Sequence, residues 1–227
     1  MLDWVKERLG LQSRGASAAR DNTAGPAKQT TLDSLRYVVF DTELTSLDAR
    51  SNRLLSIGAV AMDGTRIRLG EQFYRVVNPG ESVPGASVLI HQLRSEDVGA
   101  AEPFAKVRDD LRQFIAGAVL VGHFVKIDLK ILRKELGGAS RLANPAVDTM
   151  RVYRWILSKG RYSEDLAAKL EQTDLGTVAK AYGLEVHDAH HALHDAFLTA
   201  RVWQQMMPVL ETMGVRNLGK LLRIGGA

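Results

Sequence analysis

The chain has 227 residues, of which 45% are apolar and 25% charged, the balance of a globular protein with one well-buried core. It contains no cysteine, which excludes disulfides, thiolate zinc sites and cysteine nucleophiles, so any metal must be held by oxygen or imidazole. Thirty Lys and Arg against 26 Asp and Glu leave a formal charge of +4, which is compatible with a polyanionic partner but too small to identify one. No stretch approaches ~18 uninterrupted apolar residues, and the first ten residues carry four charges and lack the apolar core of a secretory signal. We therefore expect a cytoplasmic protein without a membrane partner.

Residues 1–33 have the composition of an appendage to the folded domain. Leu2, Val5 and Leu9 have helical spacing, and a stretch rich in small and polar residues follows them. This pattern favours a flexible extension with a short amphipathic helix that could dock on a protein partner. We expect the folded domain at 34–207 and a helical extension at 208–227.

The first part of the domain predicts three antiparallel strands. Residues 37–40, 54–61 and 72–77 are apolar, β-favouring runs. Asp63-Gly64 is a strong hairpin signal between the second and third runs, and Asn78-Pro79-Gly80 ends the third. Three strands with short connections should form an antiparallel meander.

The second part alternates between helical and strand patterns. Helical spacing at 103–115 and 126–136 flanks the apolar run 119–121, and a short fifth strand is expected at 145–147. Such alternation predicts parallel strands with helical crossovers. Further helices are expected from Asp148 or Thr149 to Leu157, at 174–182, and from about 189 to 213, with Pro208 kinking or restarting the last. The sequence thus predicts an α/β fold with a mixed five-stranded sheet flanked by helices.

Four acidic residues lie where these elements end or pack. Asp41 and Glu43 follow the strand at 37–40, and the strand period of two places both carboxylates on the same side. Two neighbouring carboxylates repel each other unless a cation lies between them, and hard divalent cations prefer oxygen ligands. Asp128 begins a helix after a strand, and Asp195 lies in the long helix among small alanines. Any one of these acids is more often a solvated or helix-terminal charge, but four on three elements suit a site for two metal ions.

Three segments occur in a fixed order along the chain: FDTELTSLDARSNRLLSIGAV, LVGHFVKIDLKIL and HHALHDAFLTA. They resemble the motifs of the DEDDh, or DnaQ-like, 3'-to-5' exonucleases, which include bacterial polymerase proofreading subunits and ribonuclease T. VNPGESVPGASVLIHQLRSEDV resembles the segment between the first two motifs, and VDTM the segment after the second. The resemblance covers about residues 36–205 and implies a ribonuclease H-like fold.

The resemblance also implies roles for five residues. Asp41, Glu43 and Asp195 would hold one divalent cation, and Asp41 would share a second, both being Mg²⁺ or Mn²⁺. Asp128 would act mainly through the water ligands of the second ion. His190 would be the base that deprotonates the attacking water.

The implied substrate is the 3' end of a nucleic acid. We expect release of nucleoside 5'-monophosphates, with single-stranded DNA favoured and an RNA-trimming exoribonuclease as the alternative. A polymerase or another protein could bind through the N-terminal extension. An inactive nucleic-acid-binding module is the alternative from another class, but such modules tend to lose a metal ligand, and here all five residues are present.

The chain departs from the family's usual motifs at positions that bear on substrate preference. Leu44-Thr45-Ser46 stands where Thr-Thr-Gly is usual, Phe124 replaces an Asn, and His91 precedes Gln-Leu-Arg where Gly-Ile-Thr is commoner. None of these changes removes a metal ligand. The residues expected to contact the substrate are Leu44, Thr45, Leu47, His123, Phe124, Lys126 and Lys130.

The helix that carries Asp128 has a basic stripe on one face. It consists of Lys126, Lys130, Arg133 and Lys134. A solvated face is the usual explanation of such a stripe, but its nearness to the acidic residues makes contact with phosphates an equal alternative.

Four of the six histidines lie close together in the sequence, at positions 187, 190, 191 and 194. Their i,i+4 pairs raise the alternative of a zinc site, which the lack of cysteine and the placement of the carboxylates disfavour. On a continuous helix His191 would share the face of Asp195, whereas His190 would be displaced by ~140°. The family spacing selects His190, and the two arguments agree if His190 precedes the regular helix.

Overall fold

A computed structural model describes residues 25–46, 52–81, 93, 95–138, 142–159, 171–186 and 190–227. In this part of the chain, five strands form a sheet in the order β3-β2-β1-β4-β5. The strands are β1 (Arg36–Leu44), β2 (Leu54–Asp63), β3 (Arg66–Val76), β4 (Val119–Gly122) and β5 (Ala146–Asp148). The helices are α1 (Ser95–Ala100), α2 (Phe104–Ile115), α3 (Lys126–Glu135), α4 (Thr149–Lys159), α5 (Leu175–Ala181), α6 (Ala192–Thr212) and α7 (Leu218–Gly225). A 3₁₀ turn at Leu32–Ser34 precedes β1.

The sheet has the mixed topology that the sequence predicts. β1, β2 and β3 pair antiparallel, and β1–β4 and β4–β5 pair parallel. The hairpin between β2 and β3 turns at Gly64, whose φ of 54° glycine adopts without steric cost. β3 begins at Arg66, earlier than the expected residue 72, because its first half lies at the exposed sheet edge and lacks an apolar signal. The predicted α/β architecture is confirmed.

The two faces of the sheet are covered by separate hydrophobic clusters. Tyr37 and Val39 of β1 pack into the cluster that contains Trp203 of α6, and the Tyr37 and Trp203 rings meet edge to face with their centroids 5.7 Å apart. Val38 and Phe40 pack into the cluster on the opposite face, with the buried residues of α2 and α3. Because side chains alternate along a strand, Asp41 and Glu43 continue the α6 face, whereas Thr42 continues the α3 face.

Helix α6 crosses one face of the sheet and is continuous from Ala192 to Thr212 with Pro208 inside it. The predicted restart at Pro208 is therefore absent. The helix begins later than the expected residue 189, and residues 187–189 lie outside the described ranges. Gly214, with a φ of 80°, follows the end of the helix, which lies within one residue of the expected end at 213.

The C-terminal segment packs into the same core as the rest of the domain. Leu218 and Leu221 of α7 are fully buried, and α7 contacts α4 and β5. The N–H of Leu32 donates to the carbonyl of Arg216, which joins both ends of the described domain. The expected boundary at residue 207 falls within α6, so the segment from 208 onward is structurally continuous with the domain. Among the helices described, none is long and apolar enough to cross a membrane.

Candidate active site

Three carboxylates meet where the C-terminal end of β1 passes under the first turns of α6. Carboxylate oxygens of Asp41, Glu43 and Asp195 all lie within 4.8 Å of one another. Glu43 is only 6% exposed, and the other two are half-buried. The strand period places Asp41 and Glu43 on the face that α6 covers, so the packing of α6 brings in the third acid.

Burial and repulsion from neighbouring carboxylates disfavour ionisation of Asp41 and Asp195. Burial raises the pKa of Asp41 well above its ordinary value, and the charges of Asp128, Glu43 and Asp195 raise it further. Burial also raises the pKa of Asp195, although the bond from the His190 N–H opposes that rise. A divalent cation would relieve this repulsion, and carboxylate oxygens are its preferred ligands. The three carboxylates therefore fit a metal site.

Asp128 lies beside this cluster, not within it. It stands in the first turn of α3, and its Oδ1 accepts bonds from both the N–H of Thr42, at 3.2 Å, and the Thr42 hydroxyl. Burial raises the pKa of Asp128 to about 7, although the Thr42 bonds act in the opposite direction. Thr42 could not be singled out from the sequence, apart from its place between two acids. Because it points to the α3 face, it ties Asp128 to the strand that carries Asp41 and Glu43.

His190 lies outside the regular helix. This is the condition under which the family spacing, which selects His190, agrees with the helical periodicity, which favours His191. It has a φ of 70° and an exposed side chain, and its N–H donates to Asp195 Oδ2 at 2.9 Å. His191 follows as the N-cap residue of α6, and its ring stacks on Tyr74 with a centroid separation of 4.7 Å. Because His190 is not part of the helix, the ~140° offset calculated for a continuous helix does not apply to it. The two neighbouring histidines therefore occupy different environments, one exposed beside Asp195 and the other against the sheet.

The comparison with known proteins identifies the family. Residues 38–203, well over half of the chain, match the exonuclease family of ribonuclease T. The chain belongs to this exonuclease family. Its three motifs, with all four acids and the histidine present, place it among the DnaQ-like, or DEDDh, members.

Relatives and solved structures agree with this assignment. The exonuclease is similar to a DNA polymerase III subunit epsilon of Rickettsia conorii, with 31% identity over 78% of this chain and 75% of the relative. It is 33% identical, over 86% of its length, to a DNA polymerase III subunit epsilon-like protein of Rhodobacter capsulatus, of which it spans only 27%. Its fold matches the nuclease domain of 3'hExo, a DEDDh family member bound to rAMP. That match has a TM-score of 0.63 at 14% identity, and it covers 77% of this chain and 92% of the other.

In this exonuclease the loop after β4 is held by a buried polar network. His123 is 8% exposed, and its two ring nitrogens lie 2.8 Å from Thr149 Oγ1 and 2.7 Å from the carbonyl of Thr173. Burial lowers the pKa of the His123 ring. Since both nitrogens are engaged within the protein, any substrate contact of His123 would have to come from its ring carbons.

Asp148 is a buried carboxylate that was expected from the sequence only as a possible start of the helix to Leu157. It is 1% exposed, and its Oδ1 accepts bonds from the N–H groups of Phe124, at 3.1 Å, and Met150, at 3.0 Å. Phe124 has a φ of 54° and is 45% exposed. Asp148 thus holds a strained turn that presents an aromatic ring to solvent.

The expected substrate contacts differ in their accessibility. Leu44 and Thr45 are 6% and 7% exposed, and Thr45 Oγ1 accepts a bond from the Arg53 N–H. A nucleotide could reach only a small edge of either side chain. Lys126 and Lys130 are exposed on α3, whereas Leu47, like His91 and His187, lies outside the described residues.

A groove of about 790 Å³ opens beside the exposed ring of Phe124. Its lining combines apolar and basic side chains with the carboxylate of Asp148, and comes from the loop after β4, α3, the end of β5, α4 and α7: Phe124, Lys126, Ile127, Asp148, Met150, Arg151, Arg154 and Ile224. Lys126 and Phe124 were predicted from the sequence, but the arginines of α4 were not, because only the folded structure brings α4 and α3 to the same groove.

A zinc site made of histidines finds no support in the described residues. The cluster there that could hold a metal consists of Asp41, Glu43 and Asp195. The ring of His191 lies against Tyr74 and His194, with centroid separations of 4.7 and 4.4 Å. The described histidines are therefore engaged in aromatic contacts or lie beside Asp195.

Proposed function

We propose that the chain is a metal-dependent 3'-to-5' exonuclease that releases nucleoside 5'-monophosphates from single-stranded DNA. The cluster of Asp41, Glu43 and Asp195 beside the exposed His190 carries this proposal. The 3'-to-5' direction rests on the resemblance to the DEDDh enzymes.

The three clustered carboxylates would hold two divalent cations, Mg²⁺ or Mn²⁺, with Asp41 shared between them. Bound ions of this kind lower the pKa of a water and stabilise the charge on a leaving oxygen. Asp128, held by Thr42 just outside the cluster, would bond to water molecules around the ions.

His190 would accept the proton of the attacking water. Its side chain is exposed, and its own N–H bonds to Asp195, so the imidazole stands at the edge of the acidic cluster. Histidine is the side chain most often used as a general base in enzymes.

The groove beside Phe124 supports a single-stranded substrate. A half-exposed aromatic ring offers a stacking surface for a base, and Lys126 and Arg154 offer charges for phosphates. The relatives named as subunits of DNA polymerase III favour DNA and a polymerase partner. RNA trimming is the second candidate, because the similarly folded 3'hExo domain was solved with rAMP.

The test is cleavage of end-labelled oligonucleotides. Single-stranded DNA and RNA, each with a free or blocked 3' end, are incubated with Mg²⁺, Mn²⁺ or a chelator. We expect stepwise shortening of DNA from a free 3' end, lost with chelator and with Asp41→Ala. Faster shortening of RNA would select the exoribonuclease. Binding without any cleavage would overturn the proposal in favour of an inactive module.

A further inference from the structure

Gly58 lies at the centre of the sheet beneath the first turn of α6. It pairs with Asp41 on one side and with Tyr74 on the other. A Cβ atom built on Gly58 would lie 2.2 Å from the N atom of Leu193 and 2.3 Å from the C atom of Ala192. The backbone of α6 therefore rests directly on the backbone of β2 at this point.

Such a contact leaves no room for adjustment by side-chain rotation. The atoms that a Cβ would meet belong to the main chain, and ordinary contact begins only at 3.4 Å. A methyl group at Gly58 would have to lift the first turn of α6 by roughly 1 Å, since packed backbones do not interpenetrate. The same turn carries Asp195, whose N–H bonds to the carbonyl of His191.

A second contact holds this turn from the neighbouring strand. The ring of Tyr74 in β3 stacks on the ring of His191, with 23° between their planes. His191 is the N-cap residue of α6 and makes no side-chain capping bond of its own. The stack therefore fixes the beginning of the helix laterally, while Gly58 sets its height above the sheet.

We propose that Gly58 and Tyr74 are positioning residues that set the separation between Asp195 and the two carboxylates of β1, and thereby the affinity for the catalytic cations. The proposal rests on the metal dependence proposed above. Neither residue belongs to the carboxylate cluster, and each acts through the first turn of α6. A ligand displaced by about 1 Å falls outside the ~0.2 Å tolerance of a metal site.

The first experiment compares Gly58→Ala with Gly70→Ala. Gly70 lies in β3, and a Cβ there would meet nothing within 4 Å. Mn²⁺ binding is measured by electron paramagnetic resonance without substrate, and folding by circular dichroism. We expect Gly58→Ala to weaken Mn²⁺ binding by about 10- to 100-fold, the range for supporting residues of metal sites. Turnover should fall at low Mn²⁺ and recover partly at high Mn²⁺, with KM for the oligonucleotide unchanged. Gly70→Ala should bind as the wild type does.

The second experiment compares Mn²⁺ binding by Tyr74→Ala and Tyr74→Phe. It tests the proposal even if Gly58→Ala does not fold. Phe keeps the stacking ring, so only Tyr74→Ala should weaken Mn²⁺ binding. Wild-type affinity in a folded Gly58→Ala variant, or equal affinities in the two Tyr74 variants, would overturn the proposal. A wild type that binds Mn²⁺ but cleaves no nucleic acid would instead overturn the proposed function.

Discussion

His190 and His191 show how one residue of sequence separates two chemical roles. The positive φ of His190 turns the chain so that its side chain is exposed, whereas the next residue enters the helix and stacks on Tyr74. Helical periodicity alone favoured His191 as the residue near Asp195. The positive φ of His190, which no local sequence pattern predicts, places His190 there instead. The family spacing was the only signal in the sequence for His190.

Replacing His190 should therefore affect turnover far more than replacing its neighbour. We expect His190→Ala to lower kcat by about 10²- to 10⁴-fold, the usual contribution of a general base. His191→Ala should retain most turnover when Mg²⁺ is saturating. Single-turnover cleavage of a single-stranded oligonucleotide measures both, and the reverse ranking would contradict the assignment of the base.

The raised pKa values predict how pH acts on the metal-free protein. Burial raises the pKa of Asp128 from 3.8 to about 7, so the folded state binds this proton more tightly than the unfolded state does. Its contribution to stability is therefore present below pH ~4 and is lost as the pH rises to about 7. Thermal melting is measured with chelator between pH 5 and 8. The melting temperature should fall more steeply with rising pH for the wild type than for Asp128→Asn. Parallel curves would argue against a raised pKa.

At the scale of elements, the turn between β4 and α3 carries strain that its neighbours support. Phe124 adopts a left-handed conformation that Asn adopts more readily. The N–H of Phe124 donates to the carboxylate of Asp148. Phe124→Asn should therefore stabilise the protein by up to about 1 kcal/mol while weakening binding of single-stranded DNA. Urea unfolding and DNA titration measure the two effects. Ile127→Asn, which removes an exposed apolar side chain from a helical position, should give no such gain in stability.

The strands could be predicted where their buried side chains form a periodic apolar pattern. Strand bounds could not be predicted where the side chains are exposed. The alternation along β1 placed Asp41 and Glu43 on one side, and the structure shows this arrangement. The first half of β3 gave no signal because its side chains are exposed at the sheet edge. The approach of Asp195 depends on Gly58, and an isolated glycine in a strand can indicate close backbone contact but not the partner.

At the scale of the whole molecule, the basic groove should control substrate affinity through charge. Lys126 and Arg154 are exposed on different helices, and both line the groove. Each phosphate contact to a single strand contributes about 0.7 to the slope of log affinity against log salt. Replacing both by Gln should lower that slope by about 1.4 with little change in saturated turnover.

A matched control lies at the other end of the sheet. Arg66 is exposed beside the β2–β3 hairpin, at one end of β2. The acidic site lies near the opposite end of β2, where Glu43 pairs with Ser56. Arg66→Gln should leave the salt dependence of binding unchanged. An equal effect of this substitution would mean that net charge, and not the groove, governs affinity. The groove itself could not be predicted from the sequence, since its lining comes from α3, α4 and α7, which are far apart along the chain.

The division of β1 between two faces limits how this protein can vary in length. Asp41 and Glu43 face α6, while Thr42 faces α3 and bonds to Asp128. Deleting or inserting one residue between Tyr37 and Asp41 would exchange the faces, turning the carboxylates away from Asp195 and the Thr42 hydroxyl away from Asp128. Single substitutions in this strand change one contact each, but a change of register would dismantle both halves of the site at once. Libraries that diversify the enzyme should therefore conserve the residue count of β1 and place insertions in its connecting loops.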